Sequence, residues 1–77
     1  MNFDTYRELV ASDISSRDGV GLEVYKNEKL IIEIFRDDSQ KTRSVTLFNQ
    51  SVTFEEMENA MTSFKTSDLW NFQEGTP

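Results

Sequence analysis

Two acidic runs, Asp37-Asp38 and Glu55-Glu56 with Glu58, come nearest to chemistry in this 77-residue chain. Paired carboxylates can do glycosidase-type acid–base work, but only across a substrate cleft and with one pKa raised. Asp37-Asp38-Ser39-Gln40 lacks the spaced ligands, mid-loop Gly and closing Glu of a calcium loop, and reads as a solvated turn. Asp37 and Asp38 are expected to pair with Lys41 or Arg43 across it, a contact worth little at a surface. The chain has no His and no Cys. That removes the usual acid–base group near pH 7 and the usual zinc ligands. Ser and Thr are plentiful, yet none has a His base or a G-x-S-x-G context. Gly19-Val20-Gly21 is only a fragment of a phosphate loop and reads as a turn followed by a strand. These residues point away from an enzyme, a cofactor, a metal and a small-molecule substrate.

The elements that position them are short and closely spaced. Phe3, Tyr6 and Val10 recur at three- and four-residue spacing with Leu9 beside them, which predicts a helix over 3–11, extending as far as Ile14. Asn2 suits its N-cap and Asp4 its first turn. Ser15-Ser16-Arg17-Asp18-Gly19 reads as a loop. Residues 20–26 alternate as a half-buried strand, with Val20, Leu22 and Val24 on one face. Asn27-Glu28-Lys29 is too short for anything but an antiparallel hairpin into a second strand, Leu30 to Arg36. A polar loop leads to a third strand, Arg43 to Phe48.

The last helix has the clearest start. Thr53 with Glu56 forms a capping box, and Val52 with Met57 a hydrophobic staple. Its apolar stripe is Phe54, Met57, Met61 and Phe64 with Ala60, and it should end near Lys65 or Thr66. Thr53→Ala is expected to cost ~1 kcal/mol, and an unchanged thermal midpoint would refute this boundary.

The sequence thus predicts an α+β domain in the order α-β-β-β-α: a three-stranded antiparallel meander with both helices on one face. It is read as one domain over 1–77 with 73–77 a flexible tail. The expected core is Phe3, Tyr6, Val10, Leu22, Val24, Ile32, Ile34, Val45, Leu47, Phe54, Met57, Met61 and Phe64. No apolar run approaches the ~20 residues of a membrane span. With an acidic N-terminus and no Cys, the chain is read as cytoplasmic.

What remains is protein binding. With the helices seated on one side, the sheet's other face carries Tyr25, Ile31, Phe35 and Phe48, a patch fit for a partner or for a homodimer. Glu55 and Glu58 point away from the apolar stripe of the last helix. The net charge is −6, and residues 52–77 hold one cation, Lys65, against five acids; such a surface attracts basic proteins. Trp70 and Phe72 lie in an apolar tail that either completes the core or docks a partner. The expected function is a non-enzymatic protein-interaction module, in size and charge similar to small acidic inhibitors and immunity proteins. The alternative is a self-associating structural or regulatory domain.

The order α-β-β-β-α resembles that of the double-stranded-RNA-binding domain. That resemblance implies a Lys cluster at the start of the last helix, where this chain has Thr53-Phe54-Glu55-Glu56-Met57-Glu58. Nucleic-acid binding through Arg17, Arg36, Lys41 and Arg43 is accordingly the remotest expectation.

Overall fold

The alternation between residues 19 and 47 builds a sheet, and the sheet has one strand more than the sequence predicts. The computed structural model describes residues 3–13 and 18–73. Its order is β1 (Tyr6–Asp13), β2 (Gly19–Lys26), β3 (Lys29–Asp37), β4 (Thr42–Leu47) and α1 (Phe54–Thr66). The four strands form one antiparallel sheet in sequence order. The expected Asn2 cap, the helix extension to Ile14, the Ser15–Arg17 loop with Arg17, and tail residues 74–77 lie outside the described residues.

The predicted order is therefore corrected to β-β-β-β-α, and the helix expected over 3–11 is a strand. Tyr6, Leu9 and Val10 fit a helical stripe, but the segment also fits a strand with Tyr6, Glu8 and Val10 on one face. Pairing decides between them. β1 zips onto β2 from Tyr6↔Lys26 to Asp13↔Gly19, satisfying backbone groups that β2 would otherwise leave at an edge. Asn27 fixes where it begins: its amide N–H donates to the Thr5 carbonyl at 2.8 Å, and its Oδ1 accepts the Thr5 N–H at 2.9 Å.

The β2–β3 hairpin turns on Asn27 and Glu28, both at positive φ, the signature of the two-residue type I′ turn whose twist matches the strands. A register shift at Val24/Tyr25 skips Ile31 in the β2 ladder. The Ile31 carbonyl accepts the Phe48 N–H instead. Gly19 stands where strands approach most closely. A Cβ there would lie 1.8 Å from the Arg36 carbonyl oxygen, whereas one on Gly21 would meet the Phe35 ring at 3.2 Å and the Ile34 carbonyl oxygen at an ordinary 3.5 Å. Gly19→Ala should cost about 2–3 kcal/mol in urea unfolding and Gly21→Ala clearly less; equal midpoints would contradict this packing.

The last helix starts and stops as its residues predict. Thr53 Oγ1 accepts the Glu56 N–H at 3.0 Å and the Thr53 N–H donates to Glu56 Oε1 at 2.9 Å, completing the capping box. At the other end Asp68 adopts a positive φ. The Leu69 N–H then reaches back to the Phe64 carbonyl, the bond that defines a Schellman ending.

α1 lies over β2 and β3. One contiguous cluster holds Leu22, Val24, Ile31, Ile32, Ile34, Ala60, Phe64 and Leu69, with Val20, Val52 and Met57 packed partly against it. Seven of the expected core residues are exposed: Phe3, Tyr6, Val10, Val45, Leu47, Phe54 and Met61. The reason is width. Four strands at ~4.8 Å spacing exceed what one ~10 Å helix covers, so the inward faces of both edge strands stay open. The helix is also rotated from the expected stripe. It buries Glu56, Ala60 and Phe64, which turns Phe54 and Met61 toward the β4 side.

Candidate interaction surface

Arg36 follows Ile32 and Ile34 in the period-2 pattern of β3, so it points at the core side of the sheet and is buried. Its Nε and Nη2 grip Asp38 bidentately, at 2.8 Å to Oδ1 and 3.1 Å to Oδ2. Nη1 donates to the Leu69 carbonyl at 3.0 Å. Burial alone would push the Asp38 carboxyl up, but Arg36 and the Gln73 N–H hold it below its ordinary value. The neighbouring acid, Asp37, caps its own loop: its Oδ1 accepts the N–H groups of Ser39 and Gln40 and the Ser39 hydroxyl. The acidic turn is thus spent on structure, and the partner of Asp38 is Arg36 rather than Lys41 or Arg43.

Arg43 pairs with Arg36 across the β3–β4 ladder and takes the next carbonyl of the tail, Trp70, from Nε at 2.9 Å. Its guanidinium lies 3.7 Å from the Trp70 ring centre and 4.1 Å from that of Phe72. Lys65 Nζ sits 5.3 Å from the Trp70 ring and Lys41 Nζ 5.7 Å from that of Phe72. Residues 67–73 therefore fold back on the body. Leu69 is buried, and Trp70 meets Phe64 edge-on at 6.5 Å.

Between α1 and β4 this leaves a trough. Val45 lies on its floor and Met61 on its helical wall, with Leu47 two residues farther along β4 and Phe54 two turns back along α1; all four are about half or more exposed. At one end it deepens into a hollow of about 290 Å³ lined by Ile34, Arg43, Val45, Met61, Lys65 and Trp70, with Phe64 beneath. Single exposed apolar residues are ordinary, but contiguous ones mark interfaces.

On the opposite flank, where Tyr6 and Val10 are as exposed as Leu47 and Val45, a charged group ties β1 and β2 to α1. Glu56, besides capping α1, accepts the Tyr6 hydroxyl at 2.5 Å and an Nζ–H of Lys26 at 2.8 Å. Lys26, then Tyr6, then the Thr53 N–H hold its carboxyl down at about 2, while Glu56 in turn raises both Lys26 and Tyr6. A carboxylate lowered on folding stabilises fully above its ordinary value of 4.5 and loses that contribution as pH falls through about 2. Between those values the wild type should lose on the order of 2–3 kcal/mol on this account, and Glu56→Gln should flatten that part of the stability profile. Parallel profiles for the two proteins would refute the assignment. The hollow beside it, about 320 Å³, is lined by Tyr6, Val24, Thr53, Glu55, Asn59 and Ala60 together with Glu56.

The structure separates the residues expected to share the outer sheet face. Ile31 is 2% exposed and Phe35 3%; the Phe35 ring lies over Gly19 and Gly21. Tyr25 is half-buried, carries Arg7 over its ring at 4.4 Å and donates to Glu23 Oε1 at 3.1 Å. Phe48 is 53% exposed, just beyond β4. Glu55 borders the β1-side hollow, whereas Glu58 stands beside Phe54 and Met61 on the β4 side. Trp70, 42% exposed, closes the trough, and Phe72 is half-buried behind Arg43. Sequence reasoning places Val45 and Met61 in the core, names Arg43 only for a nucleic-acid patch and for pairing with the Asp37-Asp38 turn, and gives Lys65 no binding role. One signal was available: between Ser39 and Phe54 the chain carries no acid, an unusual gap among 14 acids in 77 residues.

No family model matches the sequence, no curated protein matches it, and no solved structure matches the fold. Among the described residues no helix is long and apolar enough to cross a membrane.

Proposed function

We propose that this chain is a non-enzymatic protein-interaction module whose partner lies along the trough between α1 and β4. The observation that carries the reading is the exposure of Val45, Leu47, Phe54 and Met61, of which Val45 and Met61 line one hollow with Trp70 at its end. Tyr6 and Val10 on the β1 flank are exposed to the same degree, but there Tyr6, Lys26 and Glu56 bind one another. The non-enzymatic reading draws on the same contrast. Glu56, the acid with the most displaced pKa, is committed to capping α1 and to its two partners. The lack of Cys supports a reducing compartment such as the cytoplasm.

The net charge of −6 and the exposed Glu55 and Glu58 favour a second form of this reading, a small acidic inhibitor or immunity-type protein of a basic partner. Self-association through the outer sheet face has less to draw on, because only Tyr25 and Phe48 of its four residues reach the surface.

A photo-reactive amino acid placed singly at Val45, Leu47, Ser44 or Thr46, in the cells that make the protein, tests the proposal. Adducts with protein from positions 45 and 47, and not from 44 and 46 on the opposite face of β4, are the expected result. Equal adducts from all four, or none, would overturn it.

A further inference from the structure

We propose that the occupant of the α1–β4 trough is an amphipathic helix of a partner protein, apolar along one stripe and carboxylate-bearing at the end that meets Arg43, Lys65 and Lys41. This rests on the protein-interaction reading above and adds the shape and charge of the partner.

The width of the trough sets the shape. α1 lies over β2 and β3, so its axis is about one and a half strand spacings, roughly 7 Å, from the line of β4. Helices pack at 8–10 Å between axes, so a second helix beside α1 comes to rest over β4. It would cover Val45 and Leu47 from above and Phe54 and Met61 from the side. A second copy joined edge to edge through β4 would not do this. It would hold its own helix about 19 Å from α1, leaving a gap as wide as one more helix.

Charge sets the polarity. Lys65, Arg43 and Lys41 gather around the rings of Trp70 and Phe72. Among the described residues none of the three is in an ion pair. In a chain of net charge −6, Arg43 and Lys65, outside any ion pair among the described residues, border the apolar hollow and form a local field opposite to the global one, while Lys41 beside them also faces the Asp38 carboxylate. At contact the local field governs, because charges more than a Debye length of about 8 Å away are screened at physiological salt. Nucleic acid is the poorer fit: the ring faces that would stack on bases are already occupied by Arg43 and the lysines, and the remaining surface repels phosphate.

Trp70 is the only tryptophan in the sequence and reports on the site directly. The probe is an 18-residue, Trp-free peptide with leucines in a heptad a/d stripe and glutamates over its last two turns. Saturable change in Trp70 emission on titration is expected. Replacing the glutamates by lysines should weaken binding roughly tenfold or more, as should Lys65→Glu in the protein. Val45→Glu and Met61→Glu should each abolish the change while leaving the circular dichroism spectrum intact; two exposed sites guard against one variant misfolding. Equal response to acidic and basic peptides, no response to either, or displacement of the acidic peptide by a 12-nucleotide single-stranded RNA would overturn the proposal. So would light scattering that finds a dimer of this chain insensitive to the acidic peptide. Adducts from positions 45 and 47 alongside any of these failures would leave protein binding standing and remove only the acidic helix.

Discussion

Arg36→Met should destabilise the protein by about 3–5 kcal/mol, the cost of breaking a buried ion pair from one side. The number is large against the whole: 77 residues at 0.05–0.15 kcal/mol each give a domain only about 4–12 kcal/mol to lose. The substitution strands two groups at once. The Asp38 carboxylate, already short of solvent, loses both of its guanidinium bonds, and the Leu69 carbonyl loses its only described donor. Removing both members of the pair is predicted to hurt less than removing one, so Arg36→Met with Asp38→Asn should recover part of the loss. Urea unfolding followed by circular dichroism gives the stabilities. Trp70 emission shows separately whether the tail has come away. A single variant within 1 kcal/mol of wild type would mean that the clamp contributes nothing.

Phe64→Ala is the second large effect, at about 3–5 kcal/mol for an aromatic removed from a packed core. Phe64 is 2% exposed and among the largest fully buried side chains. It stands between the sheet beneath α1 and Trp70 beyond it, and its carbonyl receives the Leu69 N–H that ends the helix. Its loss opens a cavity and slackens the tail together. Phe64→Leu, which retains most of the volume, should cost clearly less. Comparable losses for Ala and Leu in urea midpoint would show that packing volume is not what Phe64 supplies. The Arg36 and Phe64 effects should not add, because both act on residues 67–73.

Much of this fold is legible in the sequence, for reasons that differ by element. β2 and β4 are legible because they alternate, and β3 because its β-branched run follows a break short enough to demand a hairpin. α1 is legible at its start because Thr53 and Glu56 form a reciprocal pair whose geometry allows little else. β1 is not, because Tyr6 and Val10 satisfy both periods at once, and only pairing with β2 separates them. That one error carries over to the surface. A first helix would have covered Val45 and Leu47, so those residues, with Phe54 and Met61, were assigned to the core. The outer face was in turn credited with Ile31 and Phe35. The β3 bulge and the close fit of Phe35 over Gly19 and Gly21 bury those two, and neither can be seen in a single strand's pattern. Arg36 could have been found, since it falls on the same parity as Ile32 and Ile34 and so points inward. Its partners could not, because the Leu69 carbonyl is 33 residues distant and backbone atoms leave no trace in a sequence.

The clamp also orders events during synthesis. β2 and β3 can pair as soon as they emerge, because a two-residue turn joins them. Arg36 Nη1 stays in water until Leu69 arrives, and the core face of the hairpin stays uncovered until Ala60 and Phe64 of α1 have emerged as well. A nascent chain stalled anywhere before Leu69 should present an open, protease-sensitive sheet, and resistance should come once α1 and residues 67–73 have both reached it.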